Sequence, residues 1–138
     1  MTSQTLSGYR EVSHTADWEL EVWGPDLSSL LEQAAVGMYH LSGVRLASSP
    51  RLVRRIEISF HDPEMLLIDF LTELVFLIES ERLAFDEFKL QLEGDLLIAE
   101  IIGAPLASIS KEVKAVTYHN LLIHATDRGL EANIVFDV

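Results

Sequence analysis

The chain is predicted to fold as a single compact α+β domain, with two helices packed on a mixed or antiparallel β-sheet. Three observations carry this. Two stretches place apolar residues three and four apart, and several others place them at every second position. The order that results, ββαβαββββ, does not alternate strand with helix, as an all-parallel sheet would require. Finally, the 138 residues, 49% of them hydrophobic and 23% charged, are enough for one core and leave no linker that would divide the chain, so residues 1–138 are read as one domain.

The elements follow in order. Tyr9 to Val12 and Trp18 to Trp23 read as short strands, and in the second Glu19 and Glu21 alternate with Leu20 and Val22. Gly24-Pro25 stops that strand, and Asp26 is a good N-cap. Leu27, Leu30, Leu31, Ala34, Ala35, Met38 and Leu41 then mark an amphipathic helix that ends at Ser42-Gly43. Arg51 to Phe60 is a strand with Leu52, Arg54, Ile56, Ile58 and Phe60 on one face. His61-Asp62-Pro63 breaks it, and Pro63 suits the first turn of a second helix that runs to about Glu81. That helix is apolar almost all round, with Asp69, Thr72, Glu73 and Ser80 on one narrow stripe expected to face solvent or a partner. Phe85–Glu93 and Leu96–Ile102 form a hairpin around Gly94-Asp95. Gly103 to Ser110 reads as a short apolar loop, Val113 to Ile123 as a strand, and Glu131 to Asp137 as a final strand after a turn at Asp127-Arg128-Gly129.

Composition excludes several classes of chemistry. With no cysteine there is no disulfide, no thiol nucleophile and no thiolate metal site, which fits a reducing cytosol. The polar start of the chain has no signal-peptide character. The longest apolar stretch, Met65 to Ile78, is interrupted by Asp69, Thr72 and Glu73, whereas a membrane span needs about 20 apolar residues. A cytoplasmic protein without a membrane partner is expected. Twenty-two acids against ten bases give a net charge of −12. Such a surface repels phosphate backbones, so RNA would reach this protein only through a basic partner. It attracts divalent cations and basic protein surfaces.

No G-x-S-x-G elbow, P-loop or G-x-G-x-x-G loop is present. The five histidines form no closely spaced pair on a helix. No catalytic residue is therefore assigned. Asp69 and Glu73, four apart, have the spacing of an acid–base pair, but on a largely buried helix such a stripe more often faces outward. Two acidic spots stand out more. One is His14-Thr15-Ala16-Asp17, between two strands; the other is Asp137 with the terminal carboxylate of Val138, held at the end of a strand. If the first strands lie beside the last one, Asp17 completes a group of hard oxygen donors suited to calcium, magnesium or manganese. If they do not, Asp17 and Asp137 are separate surface acids.

Four ordered motifs resemble those of the archease family: His14-Thr15-Ala16-Asp17, Asp69-Phe70-Leu71-Thr72-Glu73-Leu74, Lys114-Ala115-Val116-Thr117-Tyr118-His119, and Ile134-Val135-Phe136-Asp137-Val138. The resemblance implies an accessory protein for the GTP-dependent RNA ligase that joins tRNA halves. Such a protein promotes guanylylation and multiple turnover of the ligase without forming the phosphodiester bond. It further implies a divalent cation, most readily calcium, held by Asp17, Asp137 and the Val138 carboxylate. His14 would orient Asp17, and Lys114 would neutralise the acids or contact a phosphate or the ligase. Two departures are expected to matter. Trp18 stands where a smaller aliphatic residue is usual and would narrow access to the site, and the 103–110 segment is shorter and less charged than the family's loop. Two alternatives use the same residues: a small metal-dependent hydrolase with His14 or Glu73 as base, or an acidic chaperone or scaffold.

Overall fold

The computed structural model describes residues 6–12 and 17–138. Its elements are β1 (Gly8–Val12), β2 (Trp18–Gly24), α1 (Leu27–Ser42), β3 (Arg45–Leu46), β4 (Leu52–Ser59), α2 (Pro63–Glu81), β5 (Leu83–Glu93), β6 (Leu96–Ser108), β7 (Ala115–Thr117), β8 (His124–Thr126) and β9 (Gly129–Asp137). Both helices begin where the sequence places them, because an aspartate stands at each start. The Asp26 carboxylate accepts from Ser29 N–H at 2.9 Å, and the Asp62 carboxylate from Met65 N–H at 2.7 Å. Pro63 occupies the first turn of α2, where its missing N–H costs nothing. Gly43, at φ 67°, closes α1, and its N–H is directed to the carbonyls of Tyr39 and His40.

The strands form two sheets, and every pairing is antiparallel. In the first, β1 pairs β2 and β2 pairs β9, while β7 and β8 pair the other edge of β9. In the second, β6 pairs with β3, β4 and β5. The helices join the sheets: α1 lies on β1 and β2 and reaches β5, whereas α2 packs on α1, β7, β4 and β5. The α+β class and the antiparallel option hold, but the expected single sheet is divided. The cause is connectivity. The strands of the second sheet come from one continuous segment, while the first is assembled from both ends of the chain.

Alternation in β2 and β9 turns Leu20, Val22, Ala132, Ile134 and Phe136 inward, all fully buried. They meet Leu30, Leu31, Ala34 and Ala35 of α1 and Leu66, Phe70 and Leu74 of α2 in one core, where a buried leucine contributes about 1.5–3 kcal/mol. Two expectations need correction. Gly103 to Ser108 is strand and not loop, since β6 runs through it, with Leu106 N–H donating to Arg82 O at 2.8 Å and Ala47 N–H to Pro105 O at 2.8 Å. The segment from Val113 to Ile123 is mostly not strand: only Ala115–Thr117 pairs, and the chain then turns through Asn120 at φ 53°. Tyr118, His119 and Asn120 are exposed, with no inward alternation to extend the ladder. No helix among the described residues is long and apolar enough to cross a membrane.

Candidate functional site

Three strand ends meet at one corner of the first sheet. The β2–β9 ladder pairs Glu19 with Val135 and Trp18 with Phe136, so Asp17 and Asp137 are the next residues on the two neighbouring strands. On the other side of β9, Asp137 pairs with Ala115, and Lys114 N–H donates to Asp137 O at 2.8 Å. Phe136 is fully buried, so the alternation of β9 turns Asp137 outward, where it is exposed. Val138 then packs its side chain against the core, which anchors the residue that follows the strand. Asp17, Asp137 and Val138 thus come together at the ends of adjacent strands.

Asp17, Asp137 and the Val138 carboxylate are oxygen donors, a type that suits a hard cation. Among the described residues no three side chains of His, Cys, Asp or Glu are grouped to hold a metal. The ladder sets Asp17 and Asp137 side by side in backbone register, with Val138 next to Asp137. Neither aspartate side chain has a hydrogen-bonding or ionic partner among the described residues. Lys114 is exposed, and among the described residues its ammonium forms no ion pair. His14 lies outside the described residues. Trp18, on the opposite alternation from Asp17, is partly buried and packs against the core. Asp69 and Glu73 do not join the corner in any three-residue cluster.

The far end of the same sheet carries a charged network that the sequence does not announce. The Arg128 guanidinium lies 4.0 Å over the Trp23 ring, donates twice to Glu131 at 2.8 and 2.9 Å, and approaches Glu21 at 3.5 Å. The Thr126 hydroxyl donates to Glu131 as well. The Arg128 hydrogen bonds, then the Thr126 one, hold the Glu131 carboxyl down at about 2. The only sequence cue is the three-residue interval from Arg128 to Glu131 across a turn. Because the folded value lies below the usual carboxylate value, the stabilisation is complete above about pH 4.5 and fades as pH falls toward 2. Glu131→Gln is expected to melt below the parent at pH 7, and the gap should close over that acid range in melts followed by circular dichroism.

The sequence profile of the archease protein family matches residues 9–138. The chain belongs to the archease family. It is 32% identical to the archease of Methanosarcina barkeri, over 94% of this chain and 95% of that one, and 31% identical to the archease of Archaeoglobus fulgidus, over 94% and 98%. Among solved archease folds, the crystal structure from Thermotoga maritima, described as an archease and possible chaperone, superposes with a TM-score of 0.72 at 25% identity, over 94% of this chain and 96% of that one. The solution structure of Methanobacterium thermoautotrophicum protein 1598 gives 0.73 at 29%, over 95% and 99%.

Proposed function

We propose that this archease is a cation-dependent activator of the GTP-dependent tRNA-splicing RNA ligase, acting as an accessory protein and not as the enzyme. The observation that carries the reading is the arrival of Asp17 and Asp137 at facing strand ends, with Val138 anchored beside them. A divalent cation, calcium in preference to magnesium or manganese, would be held by the two side chains and the Val138 carboxylate. It would supply positive charge at an otherwise anionic corner. Asp17 and Asp137 fix its position from two strands, so the ligand geometry depends on the ladder and not on a loop. The remaining surface is acidic, with a net charge of −12, and complements the basic active site that a ligase needs for RNA and GTP. The corner would abut that site and promote guanylylation and turnover, while RNA meets the protein only through the ligase. Lys114, exposed at the same strand ends, is placed to contact a phosphate or the ligase. Such a protein would work in the cytoplasm.

Multiple-turnover RNA ligation by the cognate ligase, with and without this protein, tests the proposal. Turnover is expected to rise in the presence of calcium and to return to the unassisted level with chelator. RNA cleavage by the archease alone would favour the hydrolase reading. Absence of any rise would favour the general chaperone reading, which the description of the Thermotoga maritima structure and the acidic surface both suggest.

A further inference from the structure

The outward face of α2 combines unpaired negative charge with an exposed aromatic ring. The helix carries Glu64, Asp69, Glu73, Glu79 and Glu81 and no basic residue. Two of these acids are engaged: Glu64 accepts from Ile123 N–H at 2.8 Å, and Glu81 pairs with Arg54 at 2.8 Å. Asp69, Glu73 and Glu79 have no hydrogen-bonding or ionic partner among the described residues. They lie three and four positions from Thr72 and Phe76 and so share one stripe. In its middle Phe76 is 55% exposed, on a helix whose other large apolar residues are mostly buried.

Most of the bases are engaged elsewhere on the surface. At least seven of the ten lysines and arginines are ion-paired: Arg10 with Glu21, Arg51 with Asp86, Arg54 with Glu81, Arg55 with Glu57, Arg82 with Glu112, Lys89 with Glu100, and Arg128 with Glu131. None of these reaches Asp69, Glu73 or Glu79. The stripe therefore sets acids without an ion-pair partner among the described residues around an apolar centre. A central aromatic within a charged rim is the usual anatomy of a docking hot spot. A second copy of this chain would bring acids against acids, which disfavours self-association through the face. A partner surface with lysines and arginines around an apolar recess matches both components.

We propose that the Asp69–Glu73–Phe76–Glu79 face of α2 is a docking surface for a basic protein, separate from the acidic corner and responsible for affinity. Its position suits that division of labour. The two ends of α2 are tied to the 112–123 segment, through Glu64 to Ile123 and Arg82 to Glu112. The helix thus runs beside the edge of the first sheet that carries Lys114 and the corner. Taking the ligase as that partner rests on the function proposed above.

Binding of the purified ligase to the parent protein, Phe76→Ala, Phe76→Asp and the double variant Asp69→Lys/Glu79→Lys tests the inference by calorimetry. Each variant is expected to raise Kd by about tenfold or more. The parent Kd should weaken as salt rises, and the double variant should lose most of that dependence. Ligation at saturating archease should remain fully stimulated by the Phe76 variants, whereas Asp17→Ala should fail at every concentration. Exposed Phe76 and the surface acids contribute little to the core, so unchanged melting will show that the variants are folded. Parent binding that all three variants reproduce overturns the inference alone. Absence of parent binding removes the ligase reading and this inference with it. A parent dimer in sedimentation, abolished by Phe76→Asp, assigns the face to a second copy and overturns the proposal.

Discussion

Asp17→Ala is expected to abolish stimulation of the ligase while leaving the fold untouched. The residue stands just outside the β2 ladder and has no side-chain partner among the described residues, so its removal breaks no contact seen within the described sheet. A change of this kind shifts stability by about 0.5 kcal/mol or less, or about 2 °C in melting temperature. Without cation the shift should be neutral or slightly upward, because a carboxylate beside Asp137 and the Val138 carboxylate is repelled. With calcium present the two proteins should diverge. On the cation site proposed above, the parent should gain melting temperature in proportion to the logarithm of free calcium, since only the folded state would have the ligands assembled. The variant should gain little. Loss of an outer partner of a metal ligand already costs about 10–100-fold in affinity, so loss of a ligand should cost about 100-fold or more. Titration calorimetry with calcium, thermal melts and the ligation assay together read the three consequences. Parent-like calcium affinity in Asp17→Ala would remove Asp17 from the cation site, and full stimulation would remove it from the mechanism.

Gly103→Ala should be among the most damaging single changes in the chain. A Cβ at this position would lie 1.9 Å from the carbonyl oxygen of Ala84 and 2.7 Å from the Cα of Phe85. Both are backbone atoms, so no side-chain rotation relieves the contact. Gly103 pairs with Phe85 just where the β5–β6 register shifts between Phe85 and Glu87, and the bulge brings the two backbones unusually close. To admit a methyl group, β5 must move off β6 at Leu83, Ala84 and Phe85, all buried in the core. The expected cost is about 3 kcal/mol or more, or about 10 °C in melting temperature, measured by denaturant and thermal unfolding.

That glycine also shows why part of the fold was hidden in the sequence. Read along the chain, Gly103 and Pro105 look like punctuation, and the segment through Ser110 looks like a loop. The reason for the glycine is a neighbour about twenty residues away in the chain, and a tertiary close approach leaves no local signature. The helices were legible because their causes are local: Asp26, Asp62, Pro63, Gly43 and the apolar spacing between them. The hairpin at Gly94-Asp95 was legible for the same reason, with Gly94 at φ 58°. The division into two sheets was not, because it depends on β9 pairing with β2 rather than only with its sequence neighbours. At the candidate site, Asp17 and Asp137 were named by motif, and only the β2–β9 register makes them neighbours. Phe76 escaped notice because an apolar residue in an apolar helix draws no attention until its exposure is known.

The place of β9 in the first sheet has a consequence for how the protein comes into being. It follows every other strand in the chain, yet it is the middle strand to which β2, β7 and β8 all attach. The second sheet, drawn from 45–108, has all its strands available while the ribosome is still making the rest. The first sheet must wait for β9 to emerge, holding β1 and β2 unmatched on one side until then. Its closure joins segments more than a hundred residues apart, the kind of distant contact that makes folding slow. Asp17 and Asp137 become neighbours only at that last step, so the acidic corner exists only once β9 has paired with β2.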